Sequence, residues 1–241
     1  MAATAQTRPT LAAQDTRFDR RLAEILDFAT EVFAEKGYEG ASMRDLSRLS
    51  GISLAGLYYY FDSKEKLLYF IQRHTFSTII GRLRERLARE CDAEKRLRVF
   101  VHNHVDYALA RHDAMKVLSH EDEVLRNSYR AELAAIKREY YQICVALVDD
   151  VLQQESPATA TVPRIRTRTA VMALFGTMNW LYTWHNPRVD PGAEALAQQI
   201  TDLFLRGIRG ETTSRRPVRS RPRPKQTSRM RQDKVSRSAH E

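Results

Sequence analysis

Between Ser42 and Lys64 the chain reads SMRDLSRLSGISLAGLYYYFDSK, and it gathers side chains suited to holding a nucleic acid rather than converting a substrate. Ser42, Ser53, Tyr58, Tyr59 and Tyr60 offer hydroxyls for phosphate oxygens or base edges. Arg44 and Lys64 add positive charge, and Ala55 and Gly56 are small enough to let backbone approach a ligand closely. These are the candidate DNA-binding residues. A second set, His104, Tyr107, Met178, Trp180 and Trp184, combines apolar bulk with a few polar groups, the composition of a pocket that takes an apolar small molecule and orients it at its mouth. Catalysis has less to work with. His102 and Asp106 are spaced one helical turn apart and could share a metal, but no third ligand follows at a recognisable interval. No GxSxG, phosphate loop or dinucleotide fingerprint occurs. The expectation is no enzyme activity, no metal and no cofactor.

Local signals place the first set on a helix-turn-helix. Ser42 and Asp45 form a capping box, so a helix starts just after Ser42. Leu46 and Leu49 supply its apolar side, Gly51 ends it, and Ser53 caps the next helix. Advancing about 100° per residue from Leu54 puts Leu57 and Phe61 on one inward stripe. Gly56, Tyr59 and Tyr60 then point outward, with Ser53 and Ala55 on the flanks. Upstream, Leu22, Ile25, Leu26, Ala29 and Phe33 mark a buttressing helix that Gly37 ends, with Tyr38 placed to touch Phe33. Downstream, Asp62 or Ser63 caps a long fourth helix. Lys64 in its first turn opposes the helix dipole, which a phosphate partner would explain.

The stretch from Ile25 to Leu68 resembles the N-terminal DNA-binding region of the TetR family of bacterial transcriptional regulators. FAEKGY, SMRDL, GIS, GLYYYF and SKEKLL occur in the family's order and spacing. Two positions depart from it: Leu54 stands where members often carry Lys, and Tyr60 where they often carry His. The resemblance implies an all-α fold, a phosphate-binding role for Lys64, and a homodimer whose last two helices form a four-helix bundle across the two-fold axis. The segments NWLYTWHNP and MKVLSHEDEVL are similar to the ligand domain of acyl-CoA-responsive members. They imply a small apolar inducer such as an acyl-CoA.

The rest of the chain continues helical, with helices expected near 94–111, 114–126, 128–154, 164–184 and 192–209 and about nine in all. Strand-like alternation is absent. The helix ending MALFGTMNWLYTWHNP is apolar on nearly every side and is expected to be buried on nearly every side. The last helix carries Leu196, Ile200, Leu203, Phe204 and Ile208 on one face, and the two together are expected to make the dimer interface.

The domain plan is then a flexible N-terminal arm at 1–17, a helix-turn-helix DNA-binding domain at 18–64, a ligand-binding and dimerisation domain at 65–210, and a disordered basic tail at 211–241. The tail holds ten Lys or Arg against three acidic residues, which accounts for most of the net charge of +9. It is too poor in apolar residues to pack a core. Cys91 and Cys144 are too few for a disulfide framework. No run nears the roughly 18 apolar residues of a membrane span, and Arg8 and Pro9 break any secretory pattern, so a cytoplasmic location is expected. The reading that follows is a ligand-responsive DNA-binding transcriptional regulator that represses from a palindromic double-stranded operator. The alternative is a helical small-molecule binding protein that has lost DNA binding.

Overall fold

The structure is a computed structural model that describes residues 11–120, 124–154 and 165–209, with side chains at 18–119, 124–154 and 165–208. The tail expected at 211–241 and the first ten residues of the arm lie outside the described residues. Every regular element among the described residues is an α-helix: α1 (Leu11–Gly40), α2 (Met43–Ser50), α3 (Leu54–Tyr60), α4 (Lys64–Leu87), α5 (Ala93–Ala110), α6 (His112–His120), α7 (Asn127–Gln154), α8 (Thr167–Asn179), α9 (Leu181–Trp184) and α10 (Ala193–Arg209). The expected nine are present, one of them broken. The helix anticipated over 164–184 is α8 and the short α9, parted at Trp180. The Trp180 carbonyl there accepts both the backbone N–H and the hydroxyl of Thr183, a tighter turn than an α-helix makes.

Helix α1 reaches back to Leu11, into the stretch expected to be a flexible arm. Between Pro9 and Gly37 the sequence holds neither Gly nor Pro, so nothing interrupts helix propagation there. Gly37 marks the kink at the far end, with φ 70° and ψ 164°, a backbone that a side chain resists. Tyr38 then packs on Phe33 as expected, ring centroids 5.7 Å apart.

Two cores form, and α4 belongs to both. The first joins Ile25, Leu26, Ala29 and Phe33 of α1 with Leu46, Leu57 and Phe61, and extends through Leu67, Leu68 and Ile71 of α4 to Val117, Leu125 and Leu133. The second joins Ile79, Ile80 and Leu83 of α4 with Leu97, Phe100 and Val101 of α5, Tyr140 to Val151 of α7, Leu174 and Met178 of α8, and Leu196 and Leu205 of α10. Each fully buried Leu or Phe is worth about 1.5–3 kcal/mol of transfer free energy. Displacing α4 along its axis therefore disturbs both cores at once.

One packing expectation is corrected, and two apolar faces divide between core and surface in the single chain. Leu49 is 56% exposed, because α2 turns Met43 and Leu46 to the core instead. The α8–α9 segment is not buried all round: Ala170, Val171, Leu174, Met178 and Leu181 face the core, while Met172, Trp180 and Trp184 stand exposed. On α10, Leu196, Ile200 and Leu205 are buried and Leu203 is exposed. The exposed set lies on the two helices expected to meet a second subunit. No helix among the described residues is long and apolar enough to cross a membrane.

Candidate nucleic-acid interface

The helix-turn-helix is held by side chains that the sequence places where orphan backbone groups need them. Ser42 Oγ accepts the Asp45 N–H at 3.2 Å and Asp45 Oδ2 accepts the Ser42 N–H at 3.0 Å, completing the capping box. Hydrogen bonds from Ser42, reinforced by Lys36 at 2.9 Å, hold the Asp45 carboxyl far below the usual carboxylate range. Gly51 closes the helix at φ 66°, where a Cβ is strained. The Ser47 hydroxyl donates to the Ile52 carbonyl at 2.7 Å and that of Ser50 to the Leu46 carbonyl at 2.6 Å, fixing the turn. Ser53 Oγ then accepts the Gly56 N–H at 3.0 Å and starts α3.

Leu57 and Phe61 face inward as expected, each fully buried. Outward stand Tyr59, 78% exposed, and Tyr58, 48% exposed, with Ser53 and Ala55 on the same open side and Ser42 and Arg44 exposed on α2. Tyr60 does not share that face. It is half-buried, stacked on Phe18 of α1 with centroids 5.0 Å apart and meeting Tyr59 edge-on at 5.4 Å. Gly56 is not outward either. A Cβ there would come within 3.1 Å of both Ile52 and Ser53, so the tight entry to the helix, and not a ligand's approach, accounts for the glycine. The open phenols are thus Tyr58 and Tyr59.

Lys64 has a different partner from the one its helix position suggested. Its Nζ donates to the carbonyls of Tyr38 at 2.7 Å and Ala41 at 3.1 Å, and sits 4.1 Å from the centre of the Tyr38 ring. The carbonyls that follow the Gly37 kink present negative charge to the N-terminus of α4, and the ammonium answers it. Judged by its own helix alone, the residue looks misplaced; the end of α1 supplies the reason. Sequence reasoning also passed over Arg48, exposed one turn beyond Arg44 on α2. The signal was the four-residue spacing, which sets both guanidinium groups on one side.

Residues 25–69 match the family model described as bacterial regulatory proteins, tetR family, and residues 90–208 match that of the tetracyclin repressor-like C-terminal domain. The chain belongs to the TetR family. Among relatives, this TetR-family chain is 26% identical over 191 residues to the HTH-type transcriptional repressor KstR2 of Rhodococcus jostii, covering 78% of this chain and 91% of that one. The solved structure of PfmR, a TetR-family transcriptional regulator from Thermus thermophilus, superposes with a TM-score of 0.66 at 27% identity, covering 76% of this chain and 97% of that one. AibR, solved in complex with isovaleryl coenzyme A and operator DNA, shares the fold with a TM-score of 0.65 at 22% identity, covering 78% and 97%. The protein is a DNA-binding regulator and not an enzyme.

The expected ligand residues do not converge on one pocket. Trp180 and Trp184 are surface residues of the α8–α9 break, while His104, Tyr107 and Met178 are buried. Tyr107 lines a cleft of about 400 Å³ between α1, α4, α5 and α6, together with Asp27, Thr75, Arg82 and Arg111. Burial pushes its phenol pKa up while a hydrogen bond with Thr75 offsets part of that. His104 lies deeper, its Nδ1 3.1 Å from the Tyr140 hydroxyl, and burial lowers its pKa to about 4. The His102 and Asp106 pair is engaged from α4: Arg82 and Arg86 both donate to the Asp106 carboxylate, and Arg86 Nη1 lies 3.3 Å from His102 Nδ1. Contacts between helices account for both residues: Asp106 is ion-paired with Arg82 and Arg86, and His102 is hydrogen-bonded to Arg86.

Proposed function

We propose that this chain is a repressor that binds a palindromic operator as a homodimer and is released from it by an apolar inducer, such as an acyl-CoA. The observation that carries the reading is the pair of exposed phenols on α3, Tyr58 and Tyr59, presented by a helix whose opposite side buries Leu57 and runs into buried Phe61. A helix built only for packing gains nothing by leaving two aromatic rings in water, whereas a recognition helix needs them there. That KstR2 is a repressor and that AibR was solved with isovaleryl coenzyme A and operator DNA supports both halves of the proposal.

Dimerisation follows from symmetry and surface. One helix-turn-helix offers few base contacts; two related by a two-fold axis read both halves of a palindrome, with half-sites about 34–36 Å apart. Met172, Trp180, Trp184 and Leu203 are the exposed large apolar side chains of the α8–α9 segment and α10 that a second copy would cover. The inducer acts by population shift: it binds best when the two heads are held off the operator spacing, and the operator binds best when they match it. Helix α4, packed into both cores, is the element that transmits the difference.

The test is a gel-shift of the purified protein on DNA from upstream of its own coding sequence at low salt, repeated with octanoyl-CoA. A saturable shift that octanoyl-CoA reverses is expected. A complex that no acyl-CoA disturbs would remove the inducer class, and no complex at all would remove the operator.

A further inference from the structure

Three ionisable side chains lie buried in the body: His104 on α5, and Tyr140 and Cys144 on α7. Burial keeps all three uncharged near neutral pH, lowering the imidazole pKa to about 4 and raising those of the phenol and of the thiol, the latter to about 12. They act as dipoles in an aromatic setting. The His104 ring stacks on Tyr140 at 6.0 Å and meets Phe175 of α8 edge-on at 6.2 Å, and Phe100 stacks on Tyr140 at 5.1 Å. His104 Nε2 has no hydrogen-bond partner among the described residues, and neither has Oδ1 of its fully buried neighbour Asn103. Two orphaned polar atoms on consecutive residues of one helix cost stability in the unliganded chain.

The contact with Tyr140 decides which kind of orphan His104 carries. If the phenol donates to Nδ1, the phenol is satisfied and the imidazole proton sits on Nε2, leaving one unmet donor. If Nδ1 donates instead, both the Nε2 lone pair and the phenol hydrogen are unmet. The first arrangement leaves fewer groups unpaired, so Nε2–H is a buried donor awaiting an acceptor.

We propose that His104 Nε2–H reads a carbonyl oxygen carried on the inducer's apolar body, with Phe175 as the ring that swings aside to admit it. Phe175 is the half-buried member of this aromatic group, while Phe100, His104 and Tyr140 beneath it are buried. The cleft beside Tyr107 makes no such demand, since Arg111 is paired with Asp27, Arg82 with Asp106 and Tyr107 with Thr75. Asn103 adds a link to the head: its Nδ2 donates to the Ile79 carbonyl of α4 at 3.0 Å, so a ligand seated at residue 104 pulls beside the side chain that holds α4. The inference rests on the ligand-responsive half of the proposed function and is independent of its operator half.

The experiment uses the full chain and two probes of nearly one shape: methyl hexyl ketone, and its methylidene analogue in which =CH2 replaces =O. Wild type is expected to bind the ketone about tenfold more tightly than the alkene. The ketone alone is expected to move the His104 Nε2 resonance in long-range spectra of histidine-labelled protein. In His104→Leu the ketone's advantage disappears while alkene affinity stays within about twofold of wild type, and Phe175→Ala speeds entry of both probes. Equal affinities in wild type, a ketone advantage that survives His104→Leu, or binding of neither probe overturns the proposal. The wild-type comparison and resonance decide it even if the variants do not fold. Ketone preference without a DNA shift removes only the operator; a DNA shift without ketone preference removes only this inference.

Discussion

Lys64 and Tyr59 lie five residues apart, and one is bound into the protein while the other is offered to solvent. The Lys64 ammonium ties the start of α4 to the end of α1 through two carbonyls, a pair of charge-assisted bonds. Lys64→Ala is expected to lower unfolding stability by about 1–3 kcal/mol. Tyr59→Phe should leave stability within about 0.5 kcal/mol while weakening operator binding. Urea unfolding beside gel-shift titration separates the two, and a Lys64→Ala chain as stable as wild type would show the clamp to be idle. His104 gives the residue scale its pH dependence. The unfolded chain takes up a proton near 6.5 and the folded chain only near about 4, so its contribution is full above 6.5 and is lost as pH falls toward 4. At about 1.4 kcal/mol per pKa unit this amounts to roughly 3 kcal/mol. Urea midpoints measured from pH 7 to 4 should fall more steeply in wild type than in His104→Leu, and parallel curves would contradict the assignment.

Among the elements, α2, α3 and the turn between them were the most legible in sequence, because their determinants are local. A serine oxygen meets an amide three residues on, and a glycine takes a positive φ; both depend on neighbours within one turn of chain. Helix α4 shows the limit of that reasoning. Its apolar positions announced a helix long enough to pass from the DNA-binding domain into the next, but the partners that Leu67 to Ile71 meet in the head and Ile79 to Leu83 meet in the body came from the structure. The α8–α9 segment shows another: composition predicted burial on all sides, yet the break at Trp180 turns two tryptophans outward. Hydrophobicity reports that a face needs cover. It does not say whether the cover comes from the same chain.

For the whole molecule that distinction bears on the proposed dimer. Trp180, at 59% exposed, and Leu203, at 74%, are large apolar side chains that a second copy would cover under that proposal. The double change Trp180→Glu with Leu203→Glu alters no group that the single chain buries. It is expected to give a folded monomer by sedimentation, with operator affinity reduced by at least about tenfold, since a lone head reads one half-site. A double variant that still sediments as a dimer would place the interface elsewhere.

The order of residues was enough to determine the helical class, the caps and turn of the DNA-reading unit, and the family, because each depends on spacing within a turn or two of helix. Only the tertiary structure decided that Tyr58 replaces Tyr60 on the open face, that Lys64 serves α1, and that His104 and Tyr107 answer to different surroundings. In each case the deciding partner, Phe18, the Ala41 carbonyl or the Tyr140 hydroxyl, stands more than twenty residues away in sequence. Contacts at that separation come from how helices stack, and periodicity along one helix carries no record of them.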